Sequence, residues 1–227
     1  MVILLVVLRQ TGVWIPNALF VRNSVVRGAD VSAYQGTIDW KRLSSQPIRF
    51  VFLKATEGAG FQDKQFARNW EQARQSGLVV GAYHFFNFDV PASEQAENFI
   101  RTVPVQAGAL PPTVDVEFYG RFNQNHPARE KVRPMLDTLL TALEKHYGKK
   151  PMLYCTESAY HAYLAGAYGQ NPVWIRNVWF KPSVPTNWTF WQYTDKGRLD
   201  GTNGTERFVD LNVFCGGEQA FQRFVSG

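Results

Sequence analysis

From Gly28 onward, short runs of β-branched and aromatic residues alternate with longer stretches whose apolar positions recur at helical spacing, and this alternation constrains the chain more than any other feature. Repeats of that kind build parallel sheets, because the crossover between two parallel strands is long enough to hold a helix. Strands are expected at 25–31, 49–54, 79–85, 112–117, 151–155, 173–175, 189–193 and 208–214. Helices are expected at 63–75, 93–102, 129–147 and 157–164, with Gly77 and Gly148 where two of them stop. After residue 165 the helical cover thins. The pattern predicts an α/β fold, an irregular (β/α) TIM-like barrel of eight mainly parallel strands with incomplete helical cover in the C-terminal third. A doubly wound open sheet is the competing architecture. No linker-like tract or internal repeat breaks the span 28–227, which reads as one domain.

In a barrel of parallel strands, functional residues gather at the strands' C-terminal ends. Asp30, Asp115, Glu117 and Asp210 are all placed at the C-terminal ends of expected strands. Asp115 and Glu117 are two apart, so a strand points both side chains to one face. Two carboxylates buried together cost several kcal/mol unless they are protonated, paired or hydrated, so the barrel mouth is the lower-energy place for them. There, apolar walls and neighbouring charge keep one carboxyl protonated while a better-solvated partner stays ionised. Glycoside hydrolysis uses that division, one group protonating the departing oxygen and the other stabilising positive charge at the anomeric carbon. A charge pair at an exposed strand end, bridged to Arg121 or Arg129, is the structural alternative.

Other residue types fit a sugar site. The chain carries 17 Phe, 9 Tyr and 7 Trp, more rings than core packing usually requires. Tyr34, Tyr83, Phe85, Phe86, Trp174, Trp191 and Tyr193 crowd the same strand ends, where rings can stack on sugar faces, although core or rim packing accounts for at least half of them. His84 has two readings, a hydrogen bond to substrate or a satisfied structural histidine. Lys54 and Glu57 pair locally or support the site from behind. The absence of a Gly-x-Ser-x-Gly elbow, a P-loop and a His-Glu-x-x-His helix argues against esterase, nucleotide and zinc-protease chemistry. With 24 Lys and Arg against 19 Asp and Glu, the formal charge of +5 suits an anionic partner. The basic residues are scattered, with no base-reading module, so nucleic acid is not expected. Cys155 and Cys215 have no metal-ligand spacing, and two thiols or a single bridge both remain open.

The stretch Gly28-Ala-Asp-Val-Ser-Ala-Tyr-Gln-Gly-Thr-Ile-Asp-Trp40 resembles the opening of glycoside hydrolase family 25, the Chalaropsis-type lysozymes. Phe52-Leu-Lys-Ala-Thr-Glu-Gly58, Gly81-Ala-Tyr-His-Phe-Phe86, Val114-Asp-Val-Glu117, Trp191-Gln-Tyr193 and Val209-Asp-Leu-Asn-Val-Phe214 follow in the family's order. The resemblance implies an N-acetylmuramidase that cuts the β-1,4 bond between N-acetylmuramic acid and N-acetylglucosamine in peptidoglycan. It makes Glu117 the proton donor and Asp115 its partner, stabilising either the charged anomeric centre or an intermediate formed by the substrate's own acetamido group. Asp30 and Asp210 match the family's other two active-site acids. Tyr34, Tyr83, His84, Phe85, Trp174, Arg176, Trp191 and Tyr193 become candidate substrate-binding residues. No cofactor or metal is implied, and a monomer acting on peptidoglycan glycan strands is expected. The chain departs from the family at Ala33 and Tyr34, where Trp or His is frequent, and at Arg176, where the family's pattern has Ala.

Two rivals stand beside this reading. Chitinase-like barrels also use a strand-end Asp-x-Glu, but their motif adds an Asp two residues earlier, where this chain has Thr113. A wall-binding module would hold glycan without cutting it. The N-terminal 27 residues also have two readings. The apolar run 2–8 and the broken run 13–21 are each too short to cross a bilayer, and neither basic residues before the first run nor a cleavage site after it marks a secretory signal. They are a stray apolar arm or first strand, or the remnant of a signal anchor with 11–27 as tether. A wall-directed function favours the anchor, and with it an extracytoplasmic location and N-terminal membrane association.

Overall fold

The computed structural model describes residues 2–184 and 187–227. Its elements run α1 (Val2–Gln10), β1 (Arg27–Val31), α2 (Trp40–Ser44), β2 (Phe50–Glu57), the two-residue β3 (Phe61–Gln62), α3 (Phe66–Gln75), β4 (Val79–Phe85), α4 (Ala92–Thr102), β5 (Thr113–Val116) and α5 (Arg129–Tyr147). The second half adds β6 (Met152–Thr156), the single turn α6 (Glu157–Ala159), β7 (Val173–Arg176), β8 (Phe190–Gly197), β9 (Val209–Phe214) and α7 (Glu218–Ser226). The strands pair in the order β1-β9-β8-β7-β6-β5-β4-β2, and β1 pairs again with β2, so eight strands close a barrel. β3 lies outside it, antiparallel to β2. Seven barrel strands run parallel, whereas β9 is antiparallel to both β1 and β8.

The period of two along each strand sorts side chains into two apolar layers. The larger core lies between the strands and the surrounding helices. α5 supplies Val132, Leu136, Leu139, Leu140 and Leu143 to it, a buried stripe at helical spacing, and stops where Gly148 takes the left-handed conformation at φ 67°. The smaller cluster fills the barrel itself with Phe50, Phe52, Met152, Trp174, Phe190 and Phe214. Phe50 and Phe190 open their strands and Phe214 closes the reversed β9, so these rings occupy the bottom of the barrel. α7 caps that end with Phe221, 5.6 Å from the Phe50 ring and 5.3 Å from that of Phe214. Room for the rings comes from the neighbouring strands. A Cβ on Gly28 would stand 2.4 Å from the Phe50 ring, and one on Gly81 would stand 2.6 Å from Phe52.

Most expected elements are present, with informative differences. β8 runs to Gly197, past the expected 193, because it also pairs with β9. The stretch 157–164 is one α-turn followed by a π-helical turn (Tyr160–Leu164). The apolar run 2–8, open to reading as a first strand, is instead the helix α1, and α2, α7 and β3 were not expected. Cys155 is buried and Cys215 exposed, and both are free thiols. No helix among the described residues is long and apolar enough to cross a membrane. α1 instead exposes Leu4, Leu5, Val6 and Val7 while burying Arg9. Beyond α1, Asn17 is buried and donates to the carbonyls of Asn177 (2.9 Å) and Tyr193 (3.0 Å).

Candidate active site

The open end of the barrel carries a cavity of about 360 Å³, lined among others by Asp30, Asp115, Glu117 and Asp210. Below it lies a chamber of about 90 Å³, whose walls add Tyr154, Trp174 and Gln192. Three of the acids arrive as expected: Asp30 near the end of β1, Asp115 near the end of β5 and Glu117 just past it. Asp210 does not. It is the second residue of β9, near the start of the strand, and reaches the same mouth because β9 runs backwards. The reversed strand sets Asp210 directly opposite Asp30 in register.

A single amide organises that half of the site. Gln192, from the middle of β8, donates Nε2–H to Asp30 Oδ1 (2.7 Å), Asp30 Oδ2 (2.9 Å) and Asp210 Oδ2 (3.2 Å). Its Oε1 accepts from the Tyr154 hydroxyl at 2.9 Å, which fixes the amide's orientation. Asn212 donates to Asp30 Oδ1 (3.3 Å) and accepts the Trp174 indole N–H (2.8 Å). Trp174 stacks on Phe52 with centroids 4.2 Å apart, tying this network to the packed bottom of the barrel. Among the described residues, the side chains of Asp115 and Glu117 accept no hydrogen bond from the protein, and Asp115 Oδ1 is fully buried. Two acids are thus locked in place and two are left open.

Burial raises the proton affinity of all four. Asp30 is pushed up to about 7 by burial, against the pull of the Gln192 and Asn212 hydrogen bonds and the Arg176 charge. Asp115 is held well above the usual carboxylate range, first by burial and then by repulsion from Glu117. Asp210 is likewise raised by burial and by Asp30. Glu117 is raised by burial, while Arg176 and then Lys54 oppose the rise. Lys54 lies between the rings of Phe61 (5.2 Å) and Phe85 (5.1 Å) and pairs with Glu57 at 2.8 Å. Such a cluster retains a proton where isolated carboxyls would be fully ionised, and its protons belong to the group rather than to one member.

The substrate-binding candidates divide by strand face. Tyr83 and Phe85 on β4 line the cavity, and Trp174 lines the chamber beneath. Tyr34 is exposed at the rim, between the cavity and an adjoining groove of about 770 Å³. Arg176 ends β7, partly exposed, with its charge acting on Glu117 and Asp210. His84, Trp191 and Tyr193 point the other way. His84 is fully buried between Thr56 Oγ1 (2.7 Å) and Gln95 Oε1 (3.0 Å), and burial pulls it down to about 4, so it is a neutral structural histidine. Trp191 and Tyr193 pack into the core outside the barrel. The same period of two that sends them outward turns Gln192 inward. Sequence reasoning passed over Gln192, Tyr154 and Asn212; the signal for the first was a polar residue between two apolar rings that share the opposite face. It also passed over Asp195, further along β8, which lines the cavity and pairs with Arg9 and Arg176.

Sequence and fold comparisons agree with this geometry. The chain is 38% identical to the uncharacterized protein YegX of Escherichia coli over 211 residues, spanning 89% of this chain and 74% of that one. It is 29% identical to Lysozyme M1 of Streptomyces globisporus, over 85% of this chain and 69% of the relative. A family 25 glycosyl hydrolase from Bacillus anthracis superposes with a TM-score of 0.84 at 50% identity, covering 88% of this chain and 94% of that one. The lysozyme of Streptomyces coelicolor superposes at 0.78 with 28% identity, covering 90% and 98%. The family model for glycosyl hydrolases family 25 matches residues 29–202, a span that runs from within β1 through the end of β8 and holds Asp30, Asp115, Glu117 and the Gln192 that orients Asp30 and Asp210. On that match, and on the barrel and acids it covers, the chain belongs to glycoside hydrolase family 25.

Proposed function

We propose that the chain hydrolyses the β-1,4 bond between N-acetylmuramic acid and N-acetylglucosamine in peptidoglycan, with Glu117 as general acid and Asp115 as its partner. The carrying observation is the division among the four acids. Asp30 and Asp210 are bound by Gln192, whereas the Asp115 and Glu117 carboxyls line the cavity with no protein donor among the described residues. Glu117, whose proton affinity burial raises, delivers a proton to the glycosidic oxygen as the bond to the anomeric carbon breaks. The acetamido oxygen of the muramic acid residue closes on the anomeric carbon, and the Asp115 carboxyl group, through its cavity-facing oxygen, accepts the acetamido N–H. Glu117, now ionised, takes a proton from the water that opens this intermediate and so returns to its starting state. Asp30 and Asp210, fixed by Gln192, complete the acidic wall of the site that favours a positive anomeric centre. Tyr34 and Phe85 offer ring faces to the sugars at the rim. Such a substrate calls for an extracytoplasmic location, and the exposed apolar residues of α1 suit attachment near a membrane surface.

The bond is tested by digesting purified peptidoglycan, reducing the products with borohydride and identifying the new ends by mass spectrometry. Reduced muramic acid ends are expected. Reduced glucosamine ends would replace the muramidase reading with a glucosaminidase one. A folded protein that pellets with several wall types but releases nothing would make the barrel a binding module.

A further inference from the structure

Arg9 lies outside the residues that the family model matches, in the last turn of α1. It is nevertheless one of the most buried charges in the molecule, at 3% exposure. Its guanidinium pairs with Asp195 Oδ1 and sits 5.0 Å from the centre of the Trp179 ring. Asp195 Oδ2 holds Arg176 at 3.2 Å. A continuous chain of charges therefore runs from the N-terminal helix to the catalytic mouth. The segment that follows α1 is fastened across the same strands. Arg198 donates to the Thr11 carbonyl (2.9 Å), and Asn17 bonds the backbone of Asn177 and Tyr193.

The charges at the mouth show why such an arrangement matters. Asp195 is a fifth acid lining the cavity beside Asp30, Asp115, Glu117 and Asp210. From β8 it faces Arg9 of α1, Arg176 of β7 and Asp210 of β9. Arg176 in turn faces Tyr154 of β6, Asp195 of β8, Glu117 beyond β5 and Asp210 of β9. If Asp195 had Arg176 as its sole partner, the best geometry for that pair would be a two-pronged one that draws the guanidinium toward β8. We propose that Arg9 is a positioning residue of the catalytic mouth: by satisfying one oxygen of Asp195, it leaves Arg176 extended toward Glu117 and Asp210. The inference rests on the assignment of Glu117 as the acid. It makes the N-terminal helix a working part of the site.

Loss of Arg9 removes one positive charge and lets Asp195 capture Arg176, and both effects raise the proton affinity of Glu117. In full-length Arg9→Met, both limbs of the pH–rate profile on peptidoglycan should move up by about half a pH unit or more, and kcat should fall more than KM rises. Arg9→Lys should restore most of the profile. In an Asp195→Asn background, the Arg9→Met change should move the limbs by much less, because the capture of Arg176 needs the Asp195 carboxylate and only the direct loss of charge remains. The carboxyl resonance of Glu117 in ¹³C-glutamate-labelled protein, assigned with Glu117→Gln, gives the same titration without turnover. A wild type that fails to cut peptidoglycan would therefore sink the functional reading while the resonance still decides the role of Arg9. An Arg9→Met protein with a lower Tm but an unmoved Glu117 titration overturns the inference, as does an equal shift with and without Asp195. Should Arg9→Met not fold, Arg9→Gln removes the charge alone and carries the same two outcomes.

Discussion

Replacing Asp30 by Asn should stabilise the protein at neutral and alkaline pH while weakening it slightly in acid. Burial pushes the Asp30 carboxyl up to about 7, from 3.8 for a free side chain. The folded state therefore keeps this proton from about pH 4 to pH 7 while the unfolded chain gives it up, and stability falls with rising pH across that window. At 1.36 kcal/mol for each pH unit, the loss is complete above pH 7 and amounts to about 4 kcal/mol. An Asn at this position does not ionise and escapes the loss. Its carbonyl can still accept from Gln192 and Asn212 in place of Oδ1, but the 2.9 Å bond from Gln192 to Oδ2 disappears. That bond is worth about 1 kcal/mol. Asp30→Asn should therefore be about 1 kcal/mol less stable than wild type at pH 4 and about 3 kcal/mol more stable at pH 8. Urea unfolding of both proteins at pH 4, 6 and 8 reads the difference directly. The slope that remains in the variant belongs to Asp115, Asp210 and Glu117, whose raised affinities act in the same direction. A variant less stable by the same amount at every pH would mean that Asp30 acts through packing and not through its charge.

Gln192→Ala should destabilise the protein by about 2 kcal/mol or more at pH 7, measured by urea unfolding, because two buried carboxylates lose their donor and the Tyr154 hydroxyl its acceptor. The same variant should lose much of its activity while still binding glycan. Gly28→Ala should cost about 1–3 kcal/mol, read as a fall in Tm, since the new methyl meets both the Phe50 ring (2.4 Å) and the Phe50 carbonyl (2.5 Å); an unchanged Tm would contradict the packing of the barrel bottom. Cys215 is exposed and should react with a thiol reagent in the native state, whereas buried Cys155 should react only in denaturant. Modification of neither thiol before reduction would point to a bridge.

The architecture was legible from strand and helix periodicities because nearly every barrel strand is a short β-branched or aromatic run bounded by turns. The direction of β9 was not. A sequence gives no sign of whether Val209–Phe214 runs with or against its neighbours, and the connection 198–208, which carries no helix, can serve a reversal. Asp210 was thus placed in the right group of acids for a geometric reason that does not hold. The acids themselves stood out, since charged residues are uncommon inside apolar strands. The residues that orient them did not. Gln192 and Asn212 are ordinary polar residues until the barrel brings their strands side by side in register. His84 and Trp191 show the opposite limit. Their motifs mark the right strands, but which face of a strand turns inward depends on register, and a shift of one residue inverts it. Arg9 could not have been found by motif, because its partner Asp195 lies 186 residues away.

In the proposed reaction Glu117 supplies the proton on which cleavage depends, and Glu117→Gln isolates that role by keeping shape while removing the acid. The measurement is the initial rate of reducing-end release from purified peptidoglycan by wild type and Glu117→Gln, with the bound fraction of each protein determined in the same tubes. Turnover should fall by about 10²–10⁴-fold while the bound fraction stays within a factor of two. A Glu117→Gln protein that cuts peptidoglycan at close to the wild-type rate would contradict the account at its root.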